Sequence, residues 1–154
     1  MKQVDSTTDT LELKLLFASA TGAEVDQHFG STLALYSYRI STREVEFLSC
    51  RLFKKEAEDG NEDKLKTKLA ALSDADILYC RAMGPSASKQ TLNLGVWPVR
   101  LDQDRAISDI ICGLQAQLAA RVKVEAWLQS IILKKQRLKQ GQSRFETYEA
   151  EGWV

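Results

Sequence analysis

Residues that bind metals are scarce in this 154-residue chain, which has one histidine and three cysteines. Cys50, Cys80 and Cys112 lie about thirty residues apart and form no Cys-x-x-Cys pair, which excludes a zinc ribbon and a ferredoxin-type cluster motif. Without a signal-peptide core at the polar N-terminus, a cytoplasmic location is expected, and a disulfide framework is not expected in such a reducing compartment. Buried, apolar-like thiols are the ordinary reading of such cysteines. No run reaches the ~20 apolar residues of a membrane helix. The net charge is zero, so no general attraction to nucleic acid or acidic lipid is expected. Neither a P-loop nor a dinucleotide fingerprint occurs, because the glycines at 22 and 30 have the wrong spacing.

What is present suits one soluble α/β domain, with 44% apolar and 27% charged residues. Residues 1–12 form a polar lead. Leu11 to Ala20 alternates and then turns apolar, as a central strand does. Thr21 to Ser31 reads as a loop. Thr32–Ile40 and Arg43–Phe53 read as an antiparallel hairpin turning at Ser41-Thr42, followed by a charged loop from Lys54 to Asn61. Glu62–Leu72 is helical, with Leu65, Leu69 and Leu72 at helical spacing. Ala75–Cys80 is a second buried strand, and Pro85 opens a helix that Gly95 ends. Val96–Leu101 contains Pro98 and so belongs at a sheet edge. Asp104–Ala120 carries Ile107, Ile110, Ile111, Leu114 and Leu118 on one face. A further helix spans Val122–Lys139, and its basic end suits a helix C-terminus. The acidic, aromatic tail from Gly141 is expected to be disordered or to dock on a partner. An α/β domain over 13–121 and a C-terminal helix and tail over 122–154 follow.

Ligands bind outside the carboxyl ends of parallel strands. Two loops leave such ends, and they converge if their strands are neighbours. The first offers Asp26, Gln27, His28 and Gly30. The second offers Cys80, Met83, Gly84 and the helix-start amides from Ser86 to Ser88. Imidazole, thiol, thioether and backbone donors suit a soft, anionic metal–sulfur cargo. The cargo's charge calls for local basicity, with Arg81 and Lys89 nearest in sequence. Taken alone, a single loop histidine is more often a plain surface residue. Asp9, Asp26, Asp74 and Asp76 suffice in number for a two-metal nuclease, but they read better as turn and cap residues, and the first strand carries no acid. No third partner completes a Ser–His or Cys–His arrangement.

The stretch FASATGAEVDQHFGSTLALYSY resembles the opening of the nitrogenase iron–molybdenum cofactor carrier family, which comprises NifX, NifY, NafY and the C-terminal domain of NifB-type proteins. The hallmark is Val25-Asp26-Gln27-His28-Phe29-Gly30, and a second match is LSDADILYCRAMGPSASKQTLNLGVWPVRL, ending in Leu92 to Val99. The resemblance spans about residues 13–120, and the length suits the short NifX-like form. It implies a ribonuclease-H-like fold: a mixed five-stranded sheet flanked by helices, with an extra C-terminal helix and no nuclease chemistry. It implies transient binding of an iron–sulfur precursor of the nitrogenase cofactor, or of the finished iron–molybdenum cofactor, with no permanent metal. His28 is the implied ligand, with Phe29 and Gly30 in its loop and Cys80 as a second metal-binding position. Gly84 is followed by Pro85 where the family more often has paired glycines. The implied partners are a cluster-synthesising enzyme, a scaffold complex or apo-nitrogenase. A regulatory or chaperone-like protein that binds nitrogenase components is the alternative, its working surface the C-terminal helix and tail.

Overall fold

The alternating Leu13–Ala18 segment forms strand β1 at the centre of a five-stranded sheet, in a computed structural model that describes residues 11–53 and 62–150. Its odd positions, Leu13, Leu15 and Phe17, enter one apolar cluster, and Leu16 and Ala18 enter another on the opposite face. A strand buried on both faces must be covered by two layers of helix. The expectations for residues 1–10, for Lys54–Asn61 and for residues 151–154 lie outside the described residues.

After β1 come β2 (Glu24–Val25), β3 (Ala34–Ile40), β4 (Val45–Leu52), α1 (Glu62–Ala70), β5 (Ile77–Cys80), α2 (Pro85–Asn93), β6 (Trp97–Arg100), β7 (Arg105–Ala106), α3 (Ile107–Leu118) and α4 (Ala126–Ala150). The sheet order is β4-β3-β1-β5-β6. β3 pairs antiparallel with β1 and β4, while β5 runs parallel to β1 and β6. An antiparallel meander joined to parallel strands is the mixed five-stranded sheet expected. The hairpin closes where Ser41 N donates to the Glu44 carbonyl (3.0 Å) and Glu44 N to Ser41 Oγ (3.1 Å). β6, with Pro98, is an edge strand.

One face is covered by α3 and α4, through Ile107, Ile110, Ile111, Leu114, Leu118, Leu128 and Ile132. Phe17 stacks on Tyr79 there, with ring centroids 5.2 Å apart. The other face is covered by α1 and α2, through Leu69, Leu72 and Ala87.

Three expectations are corrected. The 21–31 loop contains a strand: Glu24 and Val25 pair antiparallel with Ala106 and Arg105. Two-residue strands leave no readable period, and Val25 is fully buried because this strap presses it into the core. The Asp104–Ala120 helix starts only at Ile107, since residues 105–106 belong to the strap. The C-terminal helix, expected over Val122–Lys139, starts at Ala126 and runs on to Ala150. Glutamine, arginine, glutamate and alanine there favour helix, and Gly141 alone costs only ~1 kcal/mol. Leu128 of α4 is fully buried in the shared core.

Candidate functional site at the carboxyl ends of β1 and β5

β1 and β5 are direct neighbours, so the loops that leave them run side by side. Arg81 N donates to the Gln27 carbonyl (2.9 Å) and Phe29 N to the Ala82 carbonyl (2.8 Å), extending the parallel pairing as a bridge between His28 and Ala82. The expected convergence of the two loops is therefore present in the backbone.

Each side chain of the first loop has a local reason for its place. Gly22 sits at φ +87°, and a Cβ there would lie 2.7 Å from the Tyr36 ring, so only glycine fits. Asp26 Oδ1 accepts from Ala20 N (3.0 Å), and Gln27 Oε1 accepts from Leu33 N (3.1 Å). These two side chains close the loop on itself rather than face outward. Phe29 is fully buried and pins a single 3-10 turn over Phe29–Ser31. His28, immediately before that turn, is exposed. Its imidazole has no hydrogen-bond or ionic partner among the described residues.

The second loop divides differently from expectation. Cys80 is fully buried in the cluster beneath α1 and α2, so its thiol belongs to the core and not to the loop surface. The physical reason is strand phase, since Leu78 and Cys80 point to the same helix-covered face. Burial pushes the Cys80 thiol up to about 11, against the lowering effects of the Arg100 guanidinium and the Ala82 backbone. Met83 is also buried, and its sulfur accepts from Thr91 Oγ1 at 3.9 Å. Gly84, Pro85 and Ser86 remain exposed, with Gly84 capping α2 and Pro85 in its first turn. The site thus keeps His28, Gly30, Gly84 and Ser86 at the surface, and holds Phe29, Cys80 and Met83 below it.

Native thiol labelling distinguishes these environments. Cys50 and Cys112 are exposed and should react near pH 8, whereas Cys80 should label only on unfolding. A raised value keeps the Cys80 thiol protonated there, and the thiolate is the nucleophile. Rapid labelling of all three cysteines in the folded protein would contradict this placement.

Two cations behave unlike their sequence reading. Arg81 is spent inside the protein: its guanidinium pairs with Asp104 and donates to the carbonyls of Leu101 (3.1 Å) and Asp102 (3.0 Å). It secures the second loop to the segment after β6. The cation that the sequence reading missed is Lys68 of α1, which is buried, with Nζ 2.6 Å from the Gly30 carbonyl and 5.5 Å from the Phe53 ring centroid. Its signal was available: residues 65, 68, 69 and 72 share one helical stripe, so a lysine at 68 interrupts an apolar face.

The acids do not assemble. Asp74 and Asp76 precede β5 at the opposite end of the sheet from Asp26, and Asp76 Oδ2 accepts from Lys14 N (2.8 Å) and Lys135 Nζ (2.9 Å). Among the described residues no three His, Cys, Asp or Glu side chains gather to hold a metal ion. A cleft of about 380 Å³ lies at that far end, lined by Asp76, Leu94, Trp97, Lys134 and Leu138, among others. No helix among the described residues is long and apolar enough to cross a membrane.

Comparison with known proteins adds to this geometry. A family model described as dinitrogenase iron-molybdenum cofactor matches residues 12–117. The chain is 36% identical to Protein NifX of Azotobacter vinelandii over 154 residues, covering 99% of this chain and 94% of that protein. It is 31% identical to Protein NifX of Klebsiella pneumoniae over 109 residues, covering 70% of this chain and 69% of the relative. It is also 31% identical to Protein NifY of Azotobacter vinelandii over 107 residues, or 70% of this chain and 43% of that longer protein.

Proposed function

Because this chain belongs to the dinitrogenase iron-molybdenum cofactor family, we propose that it binds and hands on a metal–sulfur cluster during nitrogenase cofactor assembly. The cargo is an iron–sulfur precursor of the iron–molybdenum cofactor or the finished cofactor, and the chain is a carrier, not an enzyme. The observation that carries this reading is the unpartnered His28 imidazole, exposed on a turn whose flanks at Gln27 and Phe29 are fixed by backbone bonds to the second loop. A neutral imidazole is a good iron ligand, and a single such ligand releases its cargo more readily than a closed set of four. A general base would need an orienting partner on its second ring nitrogen, and His28 has none among the described residues.

The exposed glycines support the same reading. Gly84 has φ −67°, and neither Gly30 nor Gly84 has the positive φ that favours glycine. A Cβ at either would meet nothing within 4 Å. Neither backbone strain nor packing calls for glycine at these positions, each two residues beyond the His28–Ala82 bridge. What a missing side chain does provide is room for a bulky cargo to lie against the backbone, close to the first-turn amides of α2. Those amides favour an anion. His28, Gly30, Gly84 and Ser86 are therefore the contact residues. Phe29, Cys80 and Met83 serve from below as packing, and Asp26 as a loop closure.

The partners in this reading are the proteins that make, store or finally receive the cluster. The test is anaerobic gel filtration of the apo-protein with isolated cluster, with and without molybdenum. Iron should co-elute with the protein at about one cluster per chain. Elution of all the iron apart from the protein would overturn the carrier reading and leave the regulatory, component-binding one.

A further inference from the structure

We propose that Lys68 is the positioning residue of the His28 turn, inserted beneath it from α1 and setting it for an anionic cargo. This rests on the carrier reading for its consequence in binding, but its structural half stands without it.

Lys68 is buried, at 7% exposure. Burying an ammonium is costly unless its donors are satisfied. One donor is used on the Gly30 carbonyl at 2.6 Å, and the ammonium lies 5.5 Å from the Phe53 ring centroid. The Gly30 carbonyl belongs to the same peptide unit as Ser31 N–H. Ser31 N donates in turn to the carbonyl of His28 (3.3 Å). The ammonium therefore heads a chain of hydrogen bonds that passes through the Gly30–Ser31 peptide and ends on the backbone of His28 itself. A charge at the head of such a chain polarises and shortens the bonds that follow.

Apart from the Ser31–His28 bond, the backbone spans this part of the turn with a long bond from Thr32 N to the Phe29 carbonyl (3.4 Å). The Arg81–Gln27 and Phe29–Ala82 bonds hold the backbone up to residue 29. The Gln27 side chain bonds to Leu33, beyond the turn. Gly30 and Ser31 are exposed, and the Gly30 carbonyl accepts from the Lys68 ammonium. Arg81 is engaged with Asp104, whereas Lys68 reaches the His28 turn from inside, from α1. Outer partners of this kind orient metal ligands without touching the metal.

The test uses the full chain with Lys68→Arg, Lys68→Gln and Lys68→Met. Because the chain has one histidine, its imidazole proton resonances need no assignment. In wild type they should be single and sharp. In Lys68→Met they should broaden or split, with Lys68→Gln intermediate and Lys68→Arg close to wild type. Anaerobic cluster binding should weaken by on the order of tenfold to a hundredfold in Lys68→Met, with recovery in Lys68→Arg. Unchanged histidine resonances in a folded Lys68→Met protein would overturn the proposal. So would failure of both Lys68→Met and Lys68→Gln to fold, since Lys68 would then hold the fold and not the turn. Altered resonances in Lys68→Met, together with a wild-type protein that never binds cluster, would instead refute the carrier reading and leave the positioning role standing.

Discussion

His28→Ala is expected to abolish cluster binding, or weaken it by on the order of a hundredfold, while leaving the fold intact. The imidazole is exposed and unpartnered among the described residues, so truncating it removes no intramolecular bond. The contacts that shape the loop are made by the backbone at Gln27 and Phe29 and by the buried Phe29 ring, and they survive the substitution. Stability should therefore stay within about 0.5 kcal/mol of wild type, as for surface changes away from special features. Cys80→Ser should give the reverse pattern. It places a hydroxyl in an apolar, fully buried site, so it should lower stability and spare binding. Anaerobic titration of both variants with the same cluster preparation, beside thermal unfolding, separates the two roles. Equal cluster affinity in wild type and His28→Ala would move the site away from the turn.

The second large effect concerns the core. Leu69→Ala and Ile111→Ala should each destabilise by roughly 2–5 kcal/mol, the cost of removing a buried branched side chain. Leu69 is 8% exposed and packs beneath α1, whereas Ile111 is 5% exposed and packs beneath α3 on the opposite face of the sheet. Separated by the sheet and sharing no neighbour, the two losses should add. The sum, about 4–10 kcal/mol, is comparable to the whole stability of a typical domain, ~5–15 kcal/mol. The double variant should accordingly be unfolded or nearly so at room temperature, with each single variant folded. Denaturant titration measures all three. A double variant no less stable than the worse single one would mean that the two faces do not form independent apolar layers.

These two experiments probe features that were unequally visible before the fold was known. The helical stripe Ile107, Ile110, Ile111, Leu114 and Leu118 declares a helix face by period alone, and all five residues are buried. The double-sided burial of β1 follows from the apolar run Leu15-Leu16-Phe17-Ala18. Pro98 at the sheet edge and Pro85 in the first turn of α2 follow from the missing N–H of proline. These are local signals, and local chemistry fixes them wherever the segment ends up. The β2–β7 strap had no such signal, because pairing two residues with two others eighty positions away leaves no trace in either segment.

The candidate site divides along the same line. That Thr21–Ser31 is a glycine-bounded loop bearing the only histidine was determined by the sequence itself. The resemblance carried by Val25 to Gly30 also needed no coordinates. Which of the neighbouring groups share its surface was decided only by tertiary structure. Cys80 and Met83 stand within four residues of exposed Gly84, but strand phase and helix packing turn both sulfurs inward. Arg81 is close in sequence to the second loop, yet Asp104 claims its charge. Lys68 is forty residues from His28 and nonetheless reaches the same turn, because α1 covers the face of the sheet on which Phe29 is buried. Periodicity and turn chemistry act over a few residues, so the sequence alone determines elements and loops. A binding surface is made by side chains that meet across the chain, and only the packing of the layers decides which of them meet.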